Sequence, residues 1–170
     1  MVITTGGSAK PIPWPLSQGI RVEETLFIAG QVALDENLKL VGAGDARAQA
    51  RQVWKNIDAV VTAAGGRLED VVKVVTYVVD FAHGEAIHDV RREMFPNGDF
   101  PAATMIQVEK LGLPGLLLET DAVAVIGCSD RYMGDRAAAA NAAVRAYGSR
   151  ARASGSRRTQ GRKPMGNSAR

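Results

Sequence analysis

The hydrophobic residues of the first 128 positions follow two patterns, one typical of strands and one typical of helices. Short runs rich in Val, Ile, Leu and Phe, bounded by Gly, Pro, Asn and Asp, indicate strands. Apolar residues every three or four positions indicate helices that bury one side. The first pattern predicts strands at residues 20–22, 26–29, 37–41, 73–79, 103–108 and 116–126. The second predicts helices at residues 45–64 and 85–95.

Residues at the element ends support these boundaries. The polar residues 23–25 separate the first two strands, which indicates a hairpin. Residues 30–34 either continue the second strand or bend it at Gly30. Asp45 is a predicted N-cap for the first helix, and the glycines at 65–66 end it. The segment 73–79 is nearly continuous and β-branched, which favours a central strand.

The order of the elements predicts how the helices and strands pack. A strand, helix, strand, helix, strand order requires crossover connections that place both helices on one face of a sheet. The strands are apolar on both sides, and two helices in 128 residues cannot cover both faces. We therefore expect self-association to bury the uncovered face.

Composition restricts the class of protein. The chain has 170 residues, which allows one domain and an appendage, and 46% of them are hydrophobic, which excludes wholesale disorder. No apolar run approaches the roughly 18 residues that cross a bilayer, and the first residues lack the apolar segment of a secretory signal. Cys128 is the only cysteine, so an internal disulfide and a multi-cysteine metal site are excluded. We expect a cytoplasmic protein without membrane contact.

Charge divides the chain into two parts. Residues 1–128 hold 11 Lys and Arg against 16 Asp and Glu, whereas residues 129–170 hold 10 Lys and Arg against two Asp. We predict a folded domain at 1–128 and a basic, Ala- and Arg-rich tail at 129–170, with a short helix at 135–147 and disorder elsewhere in it. Because the domain is acidic, we expect at most weak, nonspecific nucleic-acid contact, and only by the tail.

Glu119 is the strongest candidate for chemistry because it interrupts an otherwise apolar strand, LLLETDAVAV. Burial at this position raises the pKa of a carboxyl group, which makes Glu119 a candidate acid, base or water-orienting residue. A carboxylate at the rim of a subunit contact, or one that protects an edge strand, fits the same pattern. Asp121 shares the face of Glu119, and we take it as the more hydrated of the two.

Other reactive side chains do not form a site in the sequence. His83 and His88 have no third ligand at metal spacing, so we predict no metal site. Cys128 has no paired His and fits a small apolar position. Trp54 is predicted in the core, whereas Trp14, between two prolines, either caps a cleft or packs as part of an arm.

Several segments together resemble the Rid family of reactive-intermediate deaminases, also called the YjgF type. The resemblance spans about residues 16–126, and its strength lies in the order of the motifs rather than in any one of them. The segments that carry it are IAGQV at 28–32, AQARQVWKNI at 48–57, AAG at 63–65, DVVKV at 70–74, FPAAT at 100–104 and LE at 118–119.

The resemblance implies an α+β subunit of the chorismate-mutase-like type, a mixed β-sheet carrying two helices on one face. It implies a barrel-like homotrimer with a small-molecule cleft between neighbouring subunits, and hydrolysis of imines or enamines to a carbonyl compound and ammonia without a cofactor. Glu119 then positions or activates water, and Gly30 lends its backbone to the ligand. Asn97 matches a position that lines the cleft, and Thr104 matches the last residue of a substrate-binding Pro-Ala-Arg-Ser/Thr motif.

This sequence departs from the family at two positions. Active deaminases of the family carry an Arg that grips the substrate carboxylate, and Ala103 stands in its place here. Leu16 replaces an aromatic residue ahead of Gln18. Two hypotheses follow: a hydrolase for an imine without an essential carboxylate, or a non-catalytic trimer that binds a small molecule or regulates.

Overall fold

A computed structural model describes residues 1–3 and 14–130. Its strands are β1 (Val2–Ile3), β2 (Gly19–Val22), β3 (Thr25–Val32), β4 (Val71–Val78), β5 (Ala102–Gln107) and β6 (Leu118–Val125). Its two α-helices are α1 (Ala46–Ala63) and α2 (Gly84–Met94), and single turns of 3₁₀-helix lie at Leu68–Asp70 and Phe81–His83. Both predicted helices are confirmed, and the 37–41 strand is the one predicted strand that does not form.

The six strands form one sheet in the order β1-β2-β3-β6-β4-β5. β4 and β5 are parallel, because α2 connects them as a crossover, and every other neighbouring pair is antiparallel. The sheet is therefore mixed, as predicted. β4 lies between β5 and β6, which confirms the central position that its continuous apolar sequence indicates.

Both helices cover the same face of the sheet. Along β6 the burial alternates, with Leu118, Thr120, Ala122 and Ala124 buried and the residues between them partly exposed. The buried residues belong to one core with the apolar stripe of α1 and with two residues of α2, namely Ala50, Val53, Ile57, Val60, Val61, Ile87 and Val90. The α+β fold with two helices on one face is thus confirmed.

The first helix begins and ends where its sequence predicts. The Asp45 carboxylate accepts hydrogen bonds from the N–H groups of Arg47 (2.9 Å) and Ala48 (3.0 Å), which satisfies two unpaired donors of the first turn. After Ala64 the chain turns at Gly65, whose φ of +85° favours glycine. Trp54 is buried, as predicted, and packs edge-to-face on Phe95 at 5.3 Å between ring centroids.

The opposite face of the sheet is open in the single chain. Large apolar side chains on it are half exposed, including Ile20 (47%), Val22 (57%) and Phe27 (53%). Strand register places these residues on the same side as Val123 and Val125. The apolar face that the element order predicts is therefore present, and exposure of this size is typical of an interaction surface.

The prediction of a strand at 37–41 is wrong. The Asp35 carboxylate accepts hydrogen bonds from the backbone N–H groups of Asn37 (2.8 Å) and Lys39 (2.9 Å), and these bonds bend the chain into a turn. Leu38 adopts a φ of +61°, which a strand does not tolerate. One isolated bridge, between Leu34 and Leu40, is all that forms.

The contacts within the chain divide it into two units, Met1–Ser129 and Asp130–Arg170. The predicted helix at 135–147 and nearly all of the predicted tail lie outside the described residues, so these features stay predictions. Among the described residues, no helix combines the length and the apolar character that a membrane span requires.

Candidate active site

Glu119 lies on the open face of the sheet, near the start of β6. Its strand neighbours in register are Val32 of β3 and Tyr77 of β4. The side chain is half-buried, because strands flank it on both sides. The candidate identified from the sequence therefore lies in the middle of the sheet and not at an edge strand.

A bulge in β3 brings the backbone of Gly30 under the Glu119 carboxyl group. Ile28 pairs with Ala122 and Gln31 with Thr120, so β3 has one more residue than β6 between these pairs. A Cβ atom at Gly30 would lie 1.9 Å from Glu119 Oε1. Glycine leaves room for the carboxyl group in this position, and β3 continues past the bulge to Val32.

An apolar cleft of about 220 Å³ opens on the other side of the carboxyl group. Gly30, Gly112 and Glu119 line it together with the apolar side chains of Trp14, Leu16, Val32, Leu113 and Leu116. Trp14 therefore contributes to a cleft wall, one of its two interpretations from the sequence. The contributions of Leu113 and Leu116 to the cleft were not predicted: Leu113 lies in an irregular loop, and Leu116 lies in the predicted strand 116–126, whose observed counterpart β6 begins only at Leu118.

Gln49 of α1 holds the loop that carries Leu113 and Leu116. Its amide N–H₂ donates to the carbonyl oxygens of Gly42 (3.1 Å) and Gly115 (2.8 Å), and its amide oxygen accepts from the Leu117 N–H (2.8 Å). The side chain is fully buried. A polar residue in the core thus positions one wall of the cleft.

The surroundings of Glu119 raise the pKa of its carboxyl group. Burial raises the pKa of Glu119, and the negative charge of Asp121, two residues along the same strand, raises it further. Burial also raises the pKa of Asp121, while a hydrogen bond from the Tyr77 hydroxyl (3.3 Å to Oδ2) opposes this effect. No Lys or Arg among the described residues forms an ion pair with either carboxylate.

The remaining predicted site residues do not meet Glu119 within one chain. Asn97 lies in an exposed turn that follows α2. Thr104 lies on the open face of β5 and accepts a hydrogen bond from Lys73 Nζ (3.1 Å). Ala103 pairs with Val74, a residue of the helix-covered face, so it lies on the face opposite to Glu119.

No described group of three or more His, Cys, Asp and Glu side chains, within residues 1–3 and 14–130, is arranged to hold a metal ion. Cys128 lies just beyond β6, where its Sγ is 3.8 Å from the Asp70 carbonyl oxygen. The chemistry that this part of the chain offers is therefore that of one carboxyl group beside a second carboxylate and a tyrosine.

Comparison with known proteins decides the family. The profile of the family described as Endoribonuclease L-PSP matches residues 9–126. The chain belongs to this family. It is 38% identical to a RutC family protein of Pyrococcus horikoshii over 123 residues, which cover 72% of this chain and 95% of that protein.

Further relatives connect the L-PSP family with the Rid family that the sequence motifs resemble. A 2-iminobutanoate/2-iminopropanoate deaminase of Dermatophagoides farinae is 34% identical over 110 residues, covering 65% of this chain and 84% of that protein. Among solved structures, YyfA of the Rid family from Yersinia pestis superimposes with a TM-score of 0.68 at 31% identity, covering 74% of this chain and 98% of the other. The Rid resemblance and its chorismate-mutase-like fold are thus confirmed.

Proposed function

We propose that this protein hydrolyses a reactive imine or enamine to a carbonyl compound and ammonia without a cofactor. The observation that carries the proposal is the half-buried carboxyl group of Glu119, which faces an apolar cleft and lies against the backbone of Gly30. A carboxyl group whose pKa is raised by burial holds its proton to higher pH and so becomes a better candidate for proton transfer. The deaminase name of the Dermatophagoides relative supports this class of reaction.

In each step of such a hydrolysis, Glu119 either gives a proton or takes one. Glu119 protonates the imine nitrogen, water attacks the imine carbon, and the Glu119 carboxylate takes a proton from that water to leave a carbinolamine. Glu119 then protonates the amine, and the C–N bond breaks with its electron pair on nitrogen, releasing ammonia. The hydroxyl proton returns to Glu119 as the carbonyl forms. An enamine enters the same path after it becomes an imine by tautomerisation.

The cleft walls support a substrate without a carboxylate. The described residues that line the cleft with Glu119 include apolar side chains and no Lys or Arg, and Asp121 adds a second negative charge nearby. A substrate carboxylate placed here would be repelled by these groups and would lack a bidentate partner. We propose a neutral or cationic imine with an apolar substituent, with Asn97, Ala103 and Thr104 contributed by a second copy.

We also propose that the protein is a homotrimer with its ligand clefts between subunits. The half-exposed apolar face formed by Ile20, Val22 and Phe27 supports burial against other copies. Light scattering at micromolar concentration should give three times the chain mass of 18.0 kDa. A monomer mass under these conditions would contradict the proposal.

The proposed substrate class predicts that the rate of ammonia release differs between freshly generated imines with a carboxylate and those without one. The protein should release ammonia from an apolar imine without a carboxylate, and little from 2-iminopropanoate. In the trimer, Ala103→Arg should raise activity on 2-iminopropanoate at least tenfold, since a buried bidentate contact to a charged group contributes about 2–5 kcal/mol. Ala103→Leu is the matched control, because it adds bulk without charge. Strong activity of the unaltered protein on 2-iminopropanoate would show that another cation serves the cleft.

A non-catalytic binding or regulatory trimer is the second candidate, and the Ala at position 103 is the observation that favours it. A solved Rid-type relative, TdcF of Escherichia coli, was crystallised with bound serine and is 26% identical to this chain with a TM-score of 0.66. Tight binding of a small molecule, with no ammonia released from any imine of either group, would favour this candidate.

A further inference from the structure

The side chains of Glu119, Tyr77 and Asp121 lie close together on the open face of the sheet. The proposed hydrolysis uses only Glu119. Strand register places Tyr77 directly across from Glu119 and places Asp121 one position further along the same face, across from Val75. The Tyr77 hydroxyl crosses diagonally between the strands and donates to Asp121 Oδ2 at 3.3 Å. Tyr77 therefore contacts the second carboxylate and lies beside the first.

The charged and titratable groups around Glu119 are few. The titratable group that shares the strand and the face of Glu119 is Asp121. On β4, Tyr77 is paired with Glu119, and Lys73 lies two residue pairs further along the same face. The Lys73 ammonium donates to Thr104 instead. β3 presents Gly30 and Val32 to Glu119, and the cleft loop presents glycine and leucine, so neither adds a charge. Among the described residues, Asp121 is thus the group whose charge raises the pKa of Glu119, after the larger effect of burial.

We propose that Tyr77 and Asp121 are positioning residues: the Tyr77 hydroxyl holds Asp121 in its charged form, and that charge keeps the proton of the site on Glu119. A hydrogen bond donated to a carboxylate stabilises its ionised form, and two nearby carboxylates resist ionising together. The pair therefore divides the roles, with the negative charge on Asp121 and the proton on Glu119.

This division matters for the reaction because the hydrolysis begins and ends with a protonated Glu119. The inference rests on the proposed function for its purpose, but the titration of Glu119 can be measured without any substrate. Failure of the proposed function and failure of this inference are therefore distinguishable.

The test is an NMR titration of the full chain with ¹³C-labelled glutamate carboxyl groups. The Glu119 signal is the one that disappears in Glu119→Gln. In Asp121→Asn the titration midpoint of Glu119 should move to lower pH, because a repelling charge is removed. In Tyr77→Phe it should move in the same direction by a smaller amount, because Asp121 then binds its proton more readily and is less charged.

Asp58→Asn is the matched control. Asp58 is also a carboxyl group whose pKa is raised by burial, but it lies on α1, on the far side of the sheet. This variant should leave the Glu119 midpoint in place. An unchanged midpoint in Asp121→Asn, or a move to higher pH, would overturn the inference, and an unchanged midpoint in Tyr77→Phe would remove Tyr77 from it.

Turnover gives a second readout once a substrate is found. The alkaline limb of the kcat profile, where Glu119 loses its proton, should move to lower pH in Asp121→Asn and Tyr77→Phe with little change in KM. A loss of kcat that is the same at every pH would indicate a structural role for the pair and would contradict the inference.

Discussion

Glu119→Gln should lower kcat for the accepted imine by about 10²–10⁴-fold, the range that a general acid or base contributes. The amide cannot give and take the proton that each step of the proposed hydrolysis moves. Gln has nearly the same shape as Glu, so the contact with Gly30 and the apolar walls of the cleft should persist. The measurement is ammonia release under saturating substrate.

The free energy of unfolding of Glu119→Gln shows whether a loss of activity comes from lost chemistry or from a damaged structure. A loss of kcat without a loss of stability indicates a chemical role for Glu119. Burial raises the pKa of Glu119, so the folded state binds this proton more tightly than the unfolded chain does. The free energy of unfolding therefore falls as the pH rises from the pKa of Glu119 in the unfolded chain to its higher pKa in the folded protein. Glu119→Gln has no proton to lose at this position, so its stability should not show this decrease. At neutral pH the variant should be at least as stable as the unaltered protein.

Glu69→Gln is the control for Glu119→Gln, because Glu69 is an exposed glutamate outside the cleft. Its kcat should equal that of the unaltered protein. If Glu119→Gln retains full activity, Glu119 is a structural carboxyl group at a subunit contact, the alternative that its sequence position also fits.

Gln49→Leu should lower the free energy of unfolding by about 1–3 kcal/mol, because that is the cost of leaving a buried polar group without its partner. The substitution removes the Gln49 partner of the Gly115 carbonyl oxygen and of the Leu117 N–H, whereas the Gly42 carbonyl oxygen keeps its hydrogen bond from the Asp45 N–H (3.0 Å). Because this loop forms one wall of the cleft, turnover should fall as well. Urea unfolding at one fixed protein concentration measures the effect, since self-association adds to apparent stability.

Lys55→Leu provides the comparison on the same helix. Lys55 is exposed, so its replacement should change the free energy of unfolding by no more than about 0.5 kcal/mol. A similar loss of stability in both variants would mean that added leucine, and not the lost hydrogen bonds of Gln49, causes the effect.

The regular elements were predictable because their sequence patterns agree with their tertiary surroundings. α1 has a capping Asp, a one-sided apolar stripe and a terminal glycine, and β4 is apolar enough to be central. The prediction of a strand at 37–41 was wrong for a local reason. The Asp35 carboxylate accepts hydrogen bonds from two backbone N–H groups and forms a turn, which the pattern of apolar residues does not reveal. β1 is two residues long and too short for any pattern.

The position of the candidate carboxyl group was predictable from the sequence, whereas the walls of its cleft were not. A carboxylate in an apolar strand marks Glu119, and the family resemblance adds Gly30, which the structure brings to it. In the structure, Leu113 and Leu116 belong to the loop before β6, and their placement depends on Gln49, more than sixty residues earlier in the chain. The Tyr77–Asp121 hydrogen bond depends on the register between β4 and β6, which the sequence alone does not specify.

The contact between Gly30 and Glu119 constrains how the two positions can change in evolution. Since a Cβ at position 30 would lie 1.9 Å from Glu119 Oε1, no residue other than glycine is compatible with this carboxyl group in its present place. A side chain gained at position 30 would therefore push the Glu119 carboxyl group out of its present place against the strand.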